Sequence, residues 1–384
     1  MEGFPRRLEA RLEKRLREGA FRQLYPPNDR VDFSSNDYLG YARSAKQPES
    51  SLPPGSTGSR LISGNHGLYP QAEKVIAEFH RAESALIYNS GYDANVGLLS
   101  CLLQRNDCIF YDQSVHASIR DGIALGKGRA FKFSHNSLSS LKKKVGAVLP
   151  MGRKNGIEVY VITESVFSME GDGPDLEAFS SYCREMGFHL IVDEAHAAGV
   201  LGPGGRGGVV ARGCEDAVFA RVVTFGKALG CHGAAVLGSH RLREYQINFS
   251  RSLIYTTALP PESLQALLKA YEWLDSPAGE EARDRLLRLC SLFRDTAEAL
   301  GLGPFFRNAM GPIQCCEAGG NLRVKSLALT LQEAGFEVKP ILSPTVEAGR
   351  ECLRFSLHAF NTDPQVREVL TILAQALKKE THGE

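Results

Sequence analysis

The 384-residue chain lacks the features that would sort it at a glance. No apolar run approaches the ~20 residues of a membrane-spanning helix. Lysine and arginine number 45 against 44 aspartates and glutamates, so no excess of charge points to nucleic acid or to an anionic membrane. Its nine cysteines include no Cys-x-x-Cys pair. An odd count without paired spacing argues against a disulfide framework and for a reducing compartment, so a cytoplasmic location is expected. Cys315 and Cys316 adjoin, but no His or Cys cluster with ligand spacing accompanies them, and no metal is expected. "GPGGRGG" (202–208) lacks the strand–turn–helix setting of a dinucleotide fingerprint, and "GSTGSRLISG" (55–64) lacks the lysine of a phosphate-binding P-loop. Both read as backbone near a cleft.

What is present is a pattern of alternation. "ALIYN" (85–89), "CIFYD" (108–112), "VYVITES" (159–165), "LIVDEAHA" (190–197), "RVVTF" (221–225) and "AAVLGS" (234–239) are short, continuous and apolar. Strands buried on both faces of a parallel sheet read this way. Segments between them, such as "DLEAFSSYCREMGF" (175–188), suit helices, so the class is α/β. Past about residue 270 the texture changes. "EEARDRLLRLCSLFRDTAEALG" suggests a helix, and "CLRFSLHAF" alternates like a half-exposed strand. The expected organisation is an N-terminal helical segment (1–40), a large domain (41–270) and a smaller α+β domain (271–384). Leu8, Leu12, Leu16 and Phe21 recur at near-helical spacing, which predicts an amphipathic helix packed on the body or on a partner chain. Glu2, Glu9, Glu13 and Glu18 argue against an organellar leader. "KKKVG" (142–146) reads as a solvated helix end.

Ligands of parallel α/β sheets collect at the C-terminal ends of strands. Three of the runs end in reactive side chains: Asp193 followed by His196, Thr224 followed by Lys227, and "CIFYD" leading to His116. Singly each is weak. Together they suit pyridoxal 5′-phosphate (PLP). A carboxylate, Asp193, would keep the pyridine nitrogen protonated, and a lysine, Lys227, would form the Schiff base. An imidazole would bond the phenolic oxygen and a second, His116, would stack on the ring. Gly226 and Ala228 would allow close approach.

At this point the chain resembles the α-oxoamine synthases, within the fold-type I PLP enzymes of the aspartate aminotransferase-like transferase fold. The likeness covers nearly the whole chain. It rests on "NDYLGYA" (36–42), "GSTGSRLISGNHGLY" (55–69), "NSGYDAN" (89–95), "DQSVHASIRDG" (112–122), "TESVFSMEGDGPDL" (163–176), "DEAHAAGVLGPGGRG" (193–207), "TFGKALG" (224–230), "YTTALPP" (255–261) and "LRFSLHAFNTD" (353–363). The resemblance implies a large, mostly parallel-sheet domain with a smaller C-terminal one. It implies roles as well: Lys227 for the imine, Asp193 on the pyridine nitrogen, His196 on the phenolic oxygen, His116 on the ring face and Ser165 near the ring plane. Gly91, Tyr92 and Thr224 would hold the phosphate, joined by Thr256 and Thr257 from the neighbouring subunit of a homodimer with shared sites. Arg354 would hold the amino-acid carboxylate, with Asn36 and Thr345 near the substrate. Gly67 and Pro70 depart from the family pattern without catalytic consequence, Pro70 suiting a helix start.

The implied activity is a decarboxylative condensation of L-alanine with a pimeloyl thioester, on coenzyme A or acyl carrier protein, in biotin biosynthesis. Alternatives within the family use glycine with acetyl-CoA, or a longer acyl chain with serine or alanine. Two readings of other kinds, a non-catalytic interaction subunit and a nucleotide-dependent dehydrogenase, are opposed respectively by the presence of Lys227, Asp193, His196 and His116, and by the missing dinucleotide fingerprint.

Overall fold

The computed structural model describes residues 4–45, 51–149, 156–307, 309 and 311–382. The chain divides into two compact units, one of residues 37–168 and 172–284, the other of 1–36, 169–171 and 285–384.

The first unit is built on a seven-stranded sheet. Its spatial order is Ser84–Tyr88, Ala234–Gly238, Val218–Thr224, His189–Asp193, Val159–Glu164, Cys108–Asp112 and Arg129–Phe133. Ala234–Gly238 runs antiparallel to both neighbours, and the remaining pairs are parallel. Ile162, Ile191 and Val222 enter one apolar core, while Val161, Leu190 and Val192 enter another. Successive side chains of a strand point to opposite faces, so two covered faces require unbroken apolar runs. All six runs form strands. The seventh strand, "RAFKF", carries exposed Arg129 and Lys132, because an edge strand is half solvated and charge there guards against further pairing.

Helix ends follow local chemistry. Leu176–Met186 starts where the Asp175 carboxylate accepts the Ala178 N–H (3.0 Å) and stops at Gly187 with φ 62°. Pro70 lies in the first turn of Leu68–Phe79. The lysines of "KKKVG" sit mid-helix in Leu138–Val148, exposed between buried Leu141 and Val145.

The second unit holds a three-stranded antiparallel sheet in the order Lys339–Ile341, Cys352–Ser356, Ile313–Glu317, and a short parallel pairing of Val31–Asp32 with Phe336–Glu337. "CLRFS" is thus a central strand, buried at every position rather than half exposed. Its alternation misleads because the polar pair Arg354 and Ser356 satisfy each other (2.8 Å) instead of facing water. The helix Arg6–Arg17 buries no residue, and Leu8, Leu12 and Leu16 stay exposed within the single chain. Among the described residues no helix is long and apolar enough to cross a membrane.

One charged clamp ties the sheet to the segment after Glu164. His135 Nδ1 lies 3.0 Å from buried Asp112, and its Nε2 lies 3.1 Å from Asp172. Burial opposes the charged ring, but bonds to two carboxylates push the His135 pKa up to about 10. A raised folded-state pKa stabilises the fold fully below the unfolded value of ~6.5 and loses that contribution as pH rises to about 10. His135→Gln is expected to cost roughly 1.5–3 kcal/mol at neutral pH, the worth of bonds to charged groups. The gap in melting temperature between wild type and His135→Gln should narrow from pH 7 to pH 10; a constant gap would show that the clamp is not ionic.

Candidate active site

Six of the seven strands of the large sheet point the same way, so the loops that follow them leave from one edge. Five of these loops begin at Asn89, Gln113, Ser165, Glu194 and Phe225. Asp193 ends its strand almost wholly buried (4% exposed). Its Oδ1 accepts the Ala195 N–H at 2.9 Å, and its Oδ2 accepts from Asn95 Nδ2 at 2.7 Å. Ser165 lies beside it and donates its N–H to the Asp193 carbonyl (2.9 Å).

His196, also buried, is bonded at both nitrogens. Nε2 lies 2.6 Å from Lys227 Nζ, and Nδ1 lies 2.7 Å from the Tyr38 hydroxyl. Lys227 and the Tyr38 hydroxyl thus hold the ring from its two nitrogens. Lys227 follows the strand Val218–Thr224 in a short turn and is half-buried.

His116 caps the helix Ala117–Leu125. Its N–H donates to buried Glu164 (2.6 Å), and its Nδ1 accepts the Ser118 N–H (3.2 Å). The residue is exposed overall, yet enough of the ring is packed that desolvation lowers its pKa; Lys227 adds to the shift and Asp193 opposes it.

Gly91 is the first residue of the helix Gly91–Leu102, capped by Ser90, whose hydroxyl accepts the Asp93 N–H at 3.1 Å. A Cβ placed on Gly91 would stand 2.5 Å from Thr224 Cγ2. Only glycine lets the start of this helix, with its unbonded N–H groups, come so near the threonine, and such a start suits a phosphate. Tyr92 is exposed, and its hydroxyl donates to Asp121 (2.7 Å). Asn89 Nδ2 donates to Thr256 Oγ1 (3.1 Å) and to the Thr257 carbonyl (2.7 Å).

In the other unit, Arg354 is buried on the central strand, and its guanidinium reaches Ser356 Oγ (2.8 Å) and Asn36 Oδ1 (3.2 Å). Thr345 is exposed and accepts from Arg22 (3.1 Å).

The structure therefore brings together Asp193 with Ser165, His196 with Lys227, Gly91 with Thr224, Thr256 with Thr257 on Asn89, and Arg354 with Asn36. Tyr38, Asn95, Ser118 and Glu164 were missed by the sequence reading. Tyr38 and Asn95 stand inside the recognised stretches "NDYLGYA" and "NSGYDAN", but their partners lie 158 and 98 residues away. No local spacing could reveal them.

A buried acid, a lysine on a histidine and a glycine-opened helix start fit PLP, and the fold is that of the fold-type I PLP-dependent enzymes. A family model described as aminotransferase class I and II matches residues 28–373. The 8-amino-7-oxononanoate synthase of Emericella nidulans is 39% identical over 381 residues, covering 92% of this chain and 90% of that one. Among solved structures, an SPT with PLP superposes with TM-score 0.86 at 26% identity, covering 98% of this chain and 97% of that one. The 8-amino-7-oxononanoate synthase of Francisella tularensis superposes with TM-score 0.76 at 29% identity, covering 92% and 100%. The chain belongs to the class I and II aminotransferase family and, within it, to the α-oxoamine synthases, whose cofactor is PLP.

Gly91→Ala should weaken PLP binding while the fold persists, because the new methyl meets Thr224. Overpacking of this kind typically costs ~1–3 kcal/mol. Titration of the apoprotein with PLP checks this; an unchanged dissociation constant would remove the Gly91–Thr224 approach from the cofactor site.

Proposed function

We propose that the protein is a PLP-dependent acyltransferase that condenses L-alanine with a pimeloyl thioester to 8-amino-7-oxononanoate, releasing carbon dioxide and free thiol, in the cytoplasm and in biotin biosynthesis. The observation that carries the enzymatic reading is Lys227 Nζ held 2.6 Å from His196, with buried Asp193 three residues before that histidine. The choice of substrates is supported by likeness to the named synthases.

When bound, PLP supplies an electron sink for the charge left at alanine Cα. Asp193 holds the proton of the pyridine nitrogen, because a buried anion favours a cation beside it. His196 bonds the phenolic oxygen, its orientation fixed by Tyr38. His116 and Ser165 would flank the ring. Gly91, Tyr92 and Thr224 bind the phosphate, together with Thr256 and Thr257 of the partner subunit in a homodimer with shared sites.

Lys227 anchors the cofactor and moves the proton at alanine Cα, a task suited to an amine in contact with an imidazole. Arg354 takes the alanine carboxylate, with Asn36 fixing its guanidinium and Thr345 nearer the periphery. The acyl carrier is coenzyme A or acyl carrier protein.

Thiol release should be fastest with alanine and a pimeloyl thioester in a panel of amino acids and acyl donors. Lys227→Ala should abolish it with the fold intact. Faster turnover of glycine with acetyl-CoA, or of serine with a long-chain donor, would reassign the substrate; substantial activity in Lys227→Ala would reject the mechanism.

Arg354→Ala should raise KM for alanine much more than KM for the thioester, by the ~1.5–3 kcal/mol of a charged bidentate contact. A rise confined to the thioester would place Arg354 on the other substrate.

A further inference from the structure

One nitrogen of His116 is fixed by donors whose direction cannot reverse. The Ser118 main-chain N–H can only donate, and it reaches His116 Nδ1 at 3.2 Å. At the far end of the same network, the ionised Asp193 carboxylate can only accept. Asn95 Nδ2 lies 2.7 Å from Asp193 Oδ2, so the amide turns its NH₂ toward the acid. The second hydrogen of that NH₂ goes to Ser118 Oγ at 3.0 Å. The Ser118 hydroxyl, having accepted from Asn95, sends its own hydrogen to His116 Nδ1 at 2.8 Å. Asn95 and Ser118 are both buried. Asn95 Oδ1 has no hydrogen-bond partner among the described residues, so the amide is held by its NH₂ alone.

We propose that Asn95 and Ser118 are positioning residues that hold His116 as the neutral Nε2–H tautomer and tie that state to the ionised Asp193. This rests on the cofactor reading above.

The physical need is clear. A ring stacked on a pyridine kept protonated must itself be uncharged, because like charges in contact repel even in water. The surroundings of His116 leave part of this open. Burial, Lys227 and Arg120 favour a neutral ring against Asp193 and Asp121, but they do not fix which nitrogen carries its proton, and Glu164 takes only the main-chain N–H. Two donors on Nδ1 do secure it, since a proton there would face both.

Two measurements test the inference on the full-length protein. The first is the ¹⁵N spectrum of histidine-labelled protein at pH 7, with the His116 signals assigned through His116→Phe. An unprotonated Nδ1 and a protonated Nε2 are expected; a proton on Nδ1 overturns the proposal. The second is the PLP dissociation constant of Ser118→Ala relative to wild type. Without the hydroxyl donor the ring protonates more readily, rising toward its ordinary value as far as burial allows, and only its neutral fraction accepts the cofactor. The ratio should stay near one at pH 8 and rise at pH 5.5, with about tenfold as the ceiling set by an ordinary imidazole. A ratio that does not change with pH overturns the proposal. Asp193→Asn separates the two levels of argument. If it binds PLP as tightly as wild type, the assignment of Asp193 to the pyridine nitrogen falls. If it binds weakly while the Ser118→Ala ratio is flat, only the present inference falls.

Discussion

The site depends on one buried charge. Asp193 ends a strand with only 4% of its surface exposed, and an ionised carboxylate so placed is tolerated only if donors replace the water it has lost. One donor is local, the Ala195 N–H. The other, Asn95, comes from the helix Gly91–Leu102 and draws that helix onto the strand ends. Its first residue, Gly91, then meets Thr224. Residues 91 and 95 are one turn apart and share a helix face. A single helix thus addresses the acid with its fifth residue and presents its unbonded N–H groups with its first.

Much of this frame is legible in sequence because it is local. Apolar runs mark strands that are covered on both sides, and reactive residues just past a run mark the binding edge. Asp193, His196, Thr224 and Lys227 are proposed in this way, and the structure sets Asp193 and Thr224 at strand ends with His196 and Lys227 just beyond. "RAFKF" is not, because an edge strand keeps its charges. "CLRFS" is misjudged for the opposite reason, since its polar residues pair within the fold. Arg354 and Asn36 are 318 residues apart, and Tyr38 and His196 are 158. Such contacts follow from tertiary packing, and only the likeness of whole stretches to a family drew attention to those segments.

Position alone does not explain why Asp193, among the acids at this edge, is the one proposed to meet the cofactor. Three buried acids adjoin there, and their partners differ. Glu164 accepts the His116 N–H, a contact that fixes a loop. Glu194 accepts the Val209 N–H at 2.8 Å and stands 3.6 Å from buried Arg221. Desolvation raises the pKa of Glu194 while the arginine opposes it, so that charge is answered within the protein. Among the described residues the hydrogen-bond donors of Asp193, an amide side chain and a main-chain N–H, are both neutral. Neutral donors orient a carboxylate without cancelling its charge. A buried anion held in this way suits a cation that arrives from outside, and in the proposed site a protonated pyridine ring would supply one.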